Sequence, residues 1–353
     1  MSYTEEEVNL IVLSGIEELG DRVKHNLVFT CKNAEERHKY AVKNIPTGVY
    51  NIVENKFRDG IFRTRFIESL KNKGIECVTY LSPDYPENLK NTDEPPVVLF
   101  CKGNTKLLNG NCFSVVGSRR TSAQALALCR KISGELTGAF TVVTGMAEGA
   151  DSAVIEGALP SGKIVSVLAN GFDCFYPAKN RNLIGKVAKE GLLVTEYLPH
   201  ILPLKYNFPV RNRIIAGLSR GTLVVSAGEK SGALITADYA LEYGREVFAF
   251  PYSAGVSSGA GCNKLIKNGA YLTENILDIF EAFGLDLKKS VQSVSLTEDE
   301  KAVLDEIKLA GEGFLPAIAQ KLNKFTYQLI PVVASLEIKG LIARLGGNRY
   351  SII

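Results

Sequence analysis

Between residues 112 and 251, short runs rich in β-branched and aromatic residues alternate with stretches of helical periodicity, and this alternation constrains the fold more than any other feature of the chain. The runs fall at 113–116, 140–144, 164–168, 192–195, 222–226 and 247–250, with helix-like stretches such as 122–136 and 233–243 between them. Runs this short and this uniformly apolar suit strands buried on both faces. Strands of that kind alternating with helices build a parallel sheet covered on each side, so an extended, Rossmann-like, doubly wound α/β domain is expected.

The flanks read differently. Residues 1–80 carry helical spacing, with Val8, Leu10, Ile11, Leu13 and Ile16 forming one apolar stripe, and a short apolar strand is expected at 75–81. Turn signals in Ser82-Pro83-Asp84-Tyr85-Pro86 and Glu94-Pro95-Pro96 place the first boundary there. This gives a small helical module over 1–80 and an α/β domain over 81–286. A polar linker is expected at 287–295, and Thr297-Glu298-Asp299-Glu300 has the spacing of a capping box that opens a new helix. Helical stretches near 315–322 and 326–339 and a terminal hairpin around Gly346-Gly347 then suggest a winged helix over 294–353.

At 353 residues the chain has room for two or three domains and for cores that need no disulfide or metal. Its net charge is only +3, so any nucleic-acid surface must concentrate its cations in one place. The seven cysteines form no Cys-x-x-Cys pair and several sit in apolar runs, which suits small buried hydrophobes in a reducing compartment. The N-terminal Met1-Ser2-Tyr3-Thr4-Glu5-Glu6-Glu7 lacks the basic-then-apolar pattern of a signal peptide, and no apolar stretch is long enough to span a bilayer. A cytoplasmic protein with no membrane partner is expected. His25, His38 and His200 lie far apart, so neither a histidine-rich metal site nor a bound cofactor is expected.

In an open parallel sheet ligands sit at the carboxyl ends of the strands, so the loops that follow the runs are where chemistry is sought. The first is Gly117-Ser118-Arg119-Arg120-Thr121-Ser122, where glycine permits close approach, Arg119 adds charge, and a helix start offers free N–H groups to an anion. It is not Gly-x-Gly-x-x-Gly, which weakens a dinucleotide reading. The second is Gly145-Met146-Ala147-Glu148-Gly149-Ala150-Asp151; either acid could hold a ribose hydroxyl, and Asp151 as a plain helix cap is the simpler reading. The third, Gly171 to Arg181, interleaves Phe172, Phe175 and Tyr176 with Lys179 and Arg181, which suits bases and backbone phosphates as well as a solvated loop with buried rings. Next comes Asn207-Phe208-Pro209-Val210-Arg211-Asn212-Arg213, which puts two arginines at a helix start where the dipole disfavours them; an anion or a surface ion pair would explain both. Ser231 and Gly232 open a further helix after the run at 222–226. There is no strict Walker spacing and no Ser-His-Asp or Cys-His set.

These segments, in this order, together with Asp84-Tyr85-Pro86-Glu87-Asn88-Leu89, Tyr176-Pro177-Ala178-Lys179-Asn180, Ser231-Gly232-Ala233-Leu234-Ile235-Thr236 and Gly261-Cys262-Asn263-Lys264, resemble the DNA-processing protein A (DprA, or Smf) family over about residues 80 to 280. The resemblance implies a homodimer that binds single-stranded DNA, protects it, and helps load the RecA recombinase during recombination and natural transformation, without turnover. It also implies roles for individual residues. Arg119 and Lys179 would clamp phosphates, and Arg211 and Arg213 would line the pocket. Gly117, Ser118, Ser231 and Gly232 would give backbone or hydroxyl donors. Phe208 would pack on a sugar or base, and Asn207, Asn212 and Lys264 complete the expected site. Glu148 departs from the family pattern, because a basic or neutral residue is common there. The second helix of the expected winged helix, Tyr327 to Leu336, is too apolar for a DNA reader and favours protein contact or packing. The rival reading is a Rossmann-fold enzyme acting on nucleoside monophosphates, for which Glu148 and Glu229 are the nearby acids.

Overall fold

The computed structural model describes residues 3–31, 34–285, 296–339 and 341–352. Five helices lead: α1 (Glu5–Ser14), α2 (Asp21–Phe29), α3 (Ala34–Asn44), α4 (Thr47–Arg58) and α5 (Gly60–Asn72). Strand β1 (Glu76–Thr79), the short α6 (Glu87–Lys90) and β2 (Val98–Gly103) follow. The alternating region is β3 (Cys112–Gly117), α7 (Ala123–Leu136), β4 (Thr141–Thr144), α8 (Ala150–Ala158), β5 (Ile164–Val167), α9 (Arg181–Glu190), β6 (Leu192–Thr195), α10 (Asn207–Leu218), β7 (Gly221–Ser226), α11 (Gly232–Glu242) and β8 (Glu246–Ala249). It closes with α12 (Ala260–Lys267), β9 (Tyr271–Leu272) and α13 (Ile276–Ala282). All six expected strands are present, each within about two residues of its expected bounds.

One nine-stranded sheet runs β1-β2-β6-β5-β4-β3-β7-β8-β9. From β6 to β9 every pairing is parallel, whereas β1 and β2 join antiparallel at one end. The antiparallel pair corrects the expected boundary: the sheet takes in Glu76–Thr79, inside the stretch 1–80 assigned to the helical module. The physical reason is burial. Cys77, Val78 and Thr79 lie under other elements, and the Cys77 N–H donates to the Tyr3 hydroxyl at 2.9 Å, tying the N-terminus to the strand.

Alternate residues of each strand feed two cores. Phe113, Val115, Val142 and Leu193 face α7, α8 and α13, where Phe113, Phe140, Phe280 and Phe283 pack ring against ring. Cys112, Val116, Val143, Val165 and Val194 face α10 and α11. Each fully buried ring contributes about 1.5–3 kcal/mol of transfer free energy, which is why the strands need no polar alternation.

Strand order reverses between β3 and β7. From β3 the chain winds through β4 and β5 to β6, then returns to the other side of β3 as β7. The loops leaving β3 and β7 therefore stand side by side at their carboxyl ends, the place where open α/β sheets leave a crevice.

The described C-terminal residues form α14 (Glu298–Ala310), β10 (Gly313–Phe314), α15 (Leu315–Lys321), α16 (Thr326–Ile338), β11 (Ile342–Leu345) and β12 (Arg349–Ile352), with antiparallel order β10-β12-β11 around a core of their own. Thr297 caps α14 through the expected box with Glu300. The hairpin turns at Gly347 and Asn348, both at positive φ. The linker expected at 287–295 lies outside the described residues.

Candidate nucleic-acid interface

The crevice is built by backbone contact. Gly117 ends β3 where a Cβ would meet Val225 Cγ2 at 2.5 Å and Ala150 Cβ at 2.7 Å, so only glycine lets β3, β7 and α8 converge. The next residue bridges the switch point. The Ser118 N–H donates to the Ser226 carbonyl at 2.9 Å, and its hydroxyl lies 3.3 Å from the Ser231 hydroxyl at the start of α11. Ser231 caps α11, and a Cβ on Gly232 would meet open space, so this helix start is uncrowded.

Arg119 follows with its guanidinium 5.2 Å from the centroid of the Phe208 ring. Phe208 in turn meets Tyr176 edge-on at 5.5 Å. Lys179, in the same loop as Tyr176, is 79% exposed and places Nζ 3.1 Å from Glu148 Oε2. Gly149, at φ +84°, lets the loop after β4 pass directly beneath the Arg119 and Ser118 carbonyls. Loops after β3, β4 and β5 and the first turn of α10 thus converge on one rim and bring Arg119, Lys179, Phe208 and Tyr176 together. Interleaved cations and rings of this kind can hold a phosphate chain and its bases.

The other expected site residues are structural or lie elsewhere. Arg211 is buried and donates to the Val167 carbonyl and, at 3.1 Å, to Asn212 Oδ1. It faces Asp151 across Gly145, where a Cβ would strike both side chains. Burial pushes the Asp151 carboxyl above its usual range, and Arg211 and the Ala147 N–H (3.0 Å) pull it back; burial also lowers Arg211. Asp151 is therefore neither the helix cap nor a ribose ligand expected from sequence. Gly149 holds the cap position, and Asp151 braces the rim from beneath. Asn207 is buried and donates to the Ala169 carbonyl at 3.1 Å, and Asn212 donates to the Gly232 carbonyl at 3.2 Å. Both tie α10 to neighbouring segments through their side-chain amides. Lys264 is exposed on α12, whose Gly261 N–H docks on the Ala227 carbonyl at 2.8 Å.

Arg213 is the clear departure. It donates to the Glu94 carbonyl at 2.7 Å and pairs with Glu196, in a separate cleft of about 590 Å³ that His25, Asp93 and Tyr197 also line. Two residues along a helix differ by about 200° of rotation, so Arg211 and Arg213 cannot face the same way. Asn180, the last residue of Tyr176-Pro177-Ala178-Lys179-Asn180, also shapes the rim, which sequence alone does not show. Its buried amide donates to the Met146 and Ala147 carbonyls at 3.0 and 3.2 Å and locks the second loop to the third. An asparagine directly after a cation in a loop was the only signal.

The acids of the rival reading are placed as follows. Glu148 is held by Lys179, and Glu229 is exposed in the loop after β7. Six of the seven cysteines are buried and Cys174 is half-buried; burial pushes the Cys112, Cys129 and Cys262 thiols up to about 12. Among the described residues no helix is long and apolar enough to cross a membrane.

The sheet order and the rim together define a doubly wound α/β protein with cations and aromatic rings gathered at its switch-point crevice. The model of the DNA recombination-mediator protein A family matches residues 76–284, and the chain belongs to that family. The DNA processing protein DprA of Streptococcus pneumoniae is 42% identical over 200 residues, which span 56% of this chain and 71% of that protein. The protein Smf of Escherichia coli is 34% identical over 276 residues, spanning 75% and 74%. The crystal structure of the pneumococcal DprA superposes with a TM-score of 0.62 at 32% identity, covering 80% of this chain and 98% of that one. The Helicobacter pylori DNA processing protein A, solved for its mode of binding single-stranded DNA, superposes with a TM-score of 0.54 at 27% identity, covering 59% and 95%.

Proposed function

We propose that this chain, like the H. pylori relative, binds single-stranded DNA, that the rim is where it does so, and that it serves DNA recombination and the processing of incoming strands. The observation that carries the reading is the Arg119–Phe208–Tyr176 cluster with Lys179 on the adjoining loop, a cationic and aromatic group at the mouth of the switch-point crevice. Phosphates would take Arg119 and Lys179, with Ser118, Ser231 and the open start of α11 as uncharged donors.

We further assign a homodimer, supported by the exposed Tyr271 and Leu272 of the terminal strand β9, and transfer of the bound strand to RecA recombinase in the cytoplasm without turnover. On this reading residues 81–286 with β1 carry the DNA, residues 1–80 are a helical module, and 294–353 form a winged helix that contacts protein. The apolar exposed face of α16, with Tyr327, Ile330 and Ile338 turned outward, supports the last assignment.

The test is anisotropy of labelled single and double strands across salt. Single strands should bind tighter, with affinity falling steeply as salt rises. Arg119→Ala and Lys179→Ala should each weaken binding about fivefold to thirtyfold, the loss of a charge-assisted contact, with the fold intact. If both variants bind like the parent, the rim is not the interface. Release of free base from nucleoside monophosphates would instead establish the enzyme reading.

A further inference from the structure

The loop after β5 sends three aromatic residues to three different places. Phe172 is buried at 9% exposure, Tyr176 packs on Phe208, and Phe175 turns outward at 46% exposure. Phe175 adds no ring to the sheet's cores. Arg181, at the first position of α9, places its guanidinium carbon 4.8 Å from the ring centroid. Arg181 is itself exposed, and its local setting does not explain it, since a cation at a helix start opposes the dipole.

We propose that Phe175 and Arg181 form a nucleobase-stacking platform that continues the rim beyond Tyr176. This rests on the single-strand reading above and adds a base subsite to what is there a set of phosphate contacts. A guanidinium on one face of the ring polarises it and leaves the other face for a flat, electron-poor partner. Every base has such a face, so the subsite takes bases without regard to sequence. Its place in the chain supports this occupant. Phe175 lies directly before Tyr176 and four residues before Lys179, so a strand whose phosphates reach Lys179 brings a base within reach of the ring. An apolar protein partner would find little else there, because Arg181 lies against the ring and Lys179 and Asn182, close by in the chain, are exposed polar residues.

The chain contains no tryptophan, so Phe175→Trp places its single tryptophan at the platform, excited at a wavelength where the 14 tyrosines do not absorb. It is titrated with oligothymidylate and with an abasic deoxyribose-phosphate oligomer of equal length, while complex formation is followed by gel shift. Thymidylate should quench the tryptophan by more than half at saturation, and the abasic oligomer should bind without quenching. Phe175→Leu should weaken thymidylate binding about fivefold or more at every salt concentration with the salt slope unchanged, because stacking involves no counterions, and Phe175→Tyr should bind like the parent. A complex that forms with no change in emission overturns the platform and leaves the rim reading intact. No complex with any oligomer overturns both.

Discussion

Glu148 stands beside Lys179, one of the two cations proposed to take phosphate, and neutralising it should strengthen DNA binding. Its carboxylate lies 3.1 Å from Lys179 Nζ, with the two side chains 42% and 79% exposed. Charges this close attract by about 1 kcal/mol in bulk water, and exposed pairs retain about 0.2–1 kcal/mol once side-chain entropy is counted. A phosphate that takes Lys179 must open this pair and then sit near the released carboxylate, which repels it by a similar amount. Glu148→Gln removes both penalties, a gain of about 0.5–1.5 kcal/mol, or about twofold to tenfold in affinity. The salt dependence should change as well. The released carboxylate recruits a cation when the strand binds, offsetting one counterion that leaves the DNA, so the variant's log–log slope should steepen by up to about 0.7. Melting should be unaffected within about 0.5 kcal/mol, since neither side chain is buried. The assay is anisotropy of labelled oligothymidylate between about 50 and 300 mM salt, a span over which phosphate contacts dominate the change in affinity. In a Lys179→Ala background the gain should fall by at least half. A variant that binds more weakly than the parent, or that keeps the full gain without Lys179, would refute the reasoning.

Gly149→Ala carries no charge, yet it should reduce both stability, by about 1–3 kcal/mol, and DNA affinity, because φ is +84° and the new Cβ would displace the Arg119 and Ser118 carbonyls; melting and anisotropy together check this. Arg213→Ala should cost about 3 kcal/mol by breaking a largely buried pair with Glu196, while DNA affinity stays within about twofold, and a loss of affinity without a loss of stability would return Arg213 to the interface. Glu300 tests the C-terminal unit: Lys339, Ser335 and the Thr297 N–H hold its carboxyl down at about 2, against a usual 4.5. A depressed carboxyl stabilises the fold fully above its unfolded value and loses that contribution as pH falls through the folded one. Amide protection in α14 and α16 should therefore drop between about pH 4.5 and 2 in the parent, and Glu300→Gln should lower protection at neutral pH and flatten its pH dependence across that window.

Much of the fold and part of the site follow from order along the chain. Short, uniformly apolar runs between helical stretches are enough to specify a parallel sheet, because buried strands need apolar residues on both faces and parallel pairing needs crossovers. The glycine-rich and basic loops after those runs were then bound to share one rim, since all parallel strands end on the same side. That reasoning brings Arg119, Lys179, Ser118 and Ser231 to the loops that follow the parallel strands, which is where the structure has them. The rest needed three dimensions. Nothing in the sequence 1–80 shows that Glu76–Thr79 pairs with β2, because antiparallel pairing at a sheet end depends on partners at Val98 to Cys101, beyond that stretch. Rotation about a helix axis separated Arg211 from Arg213, and burial against Gly145 turned Asp151 from an expected cap into a brace. Linear order determines which side chains reach the rim's neighbourhood; only packing decides which of them still face solvent when they arrive.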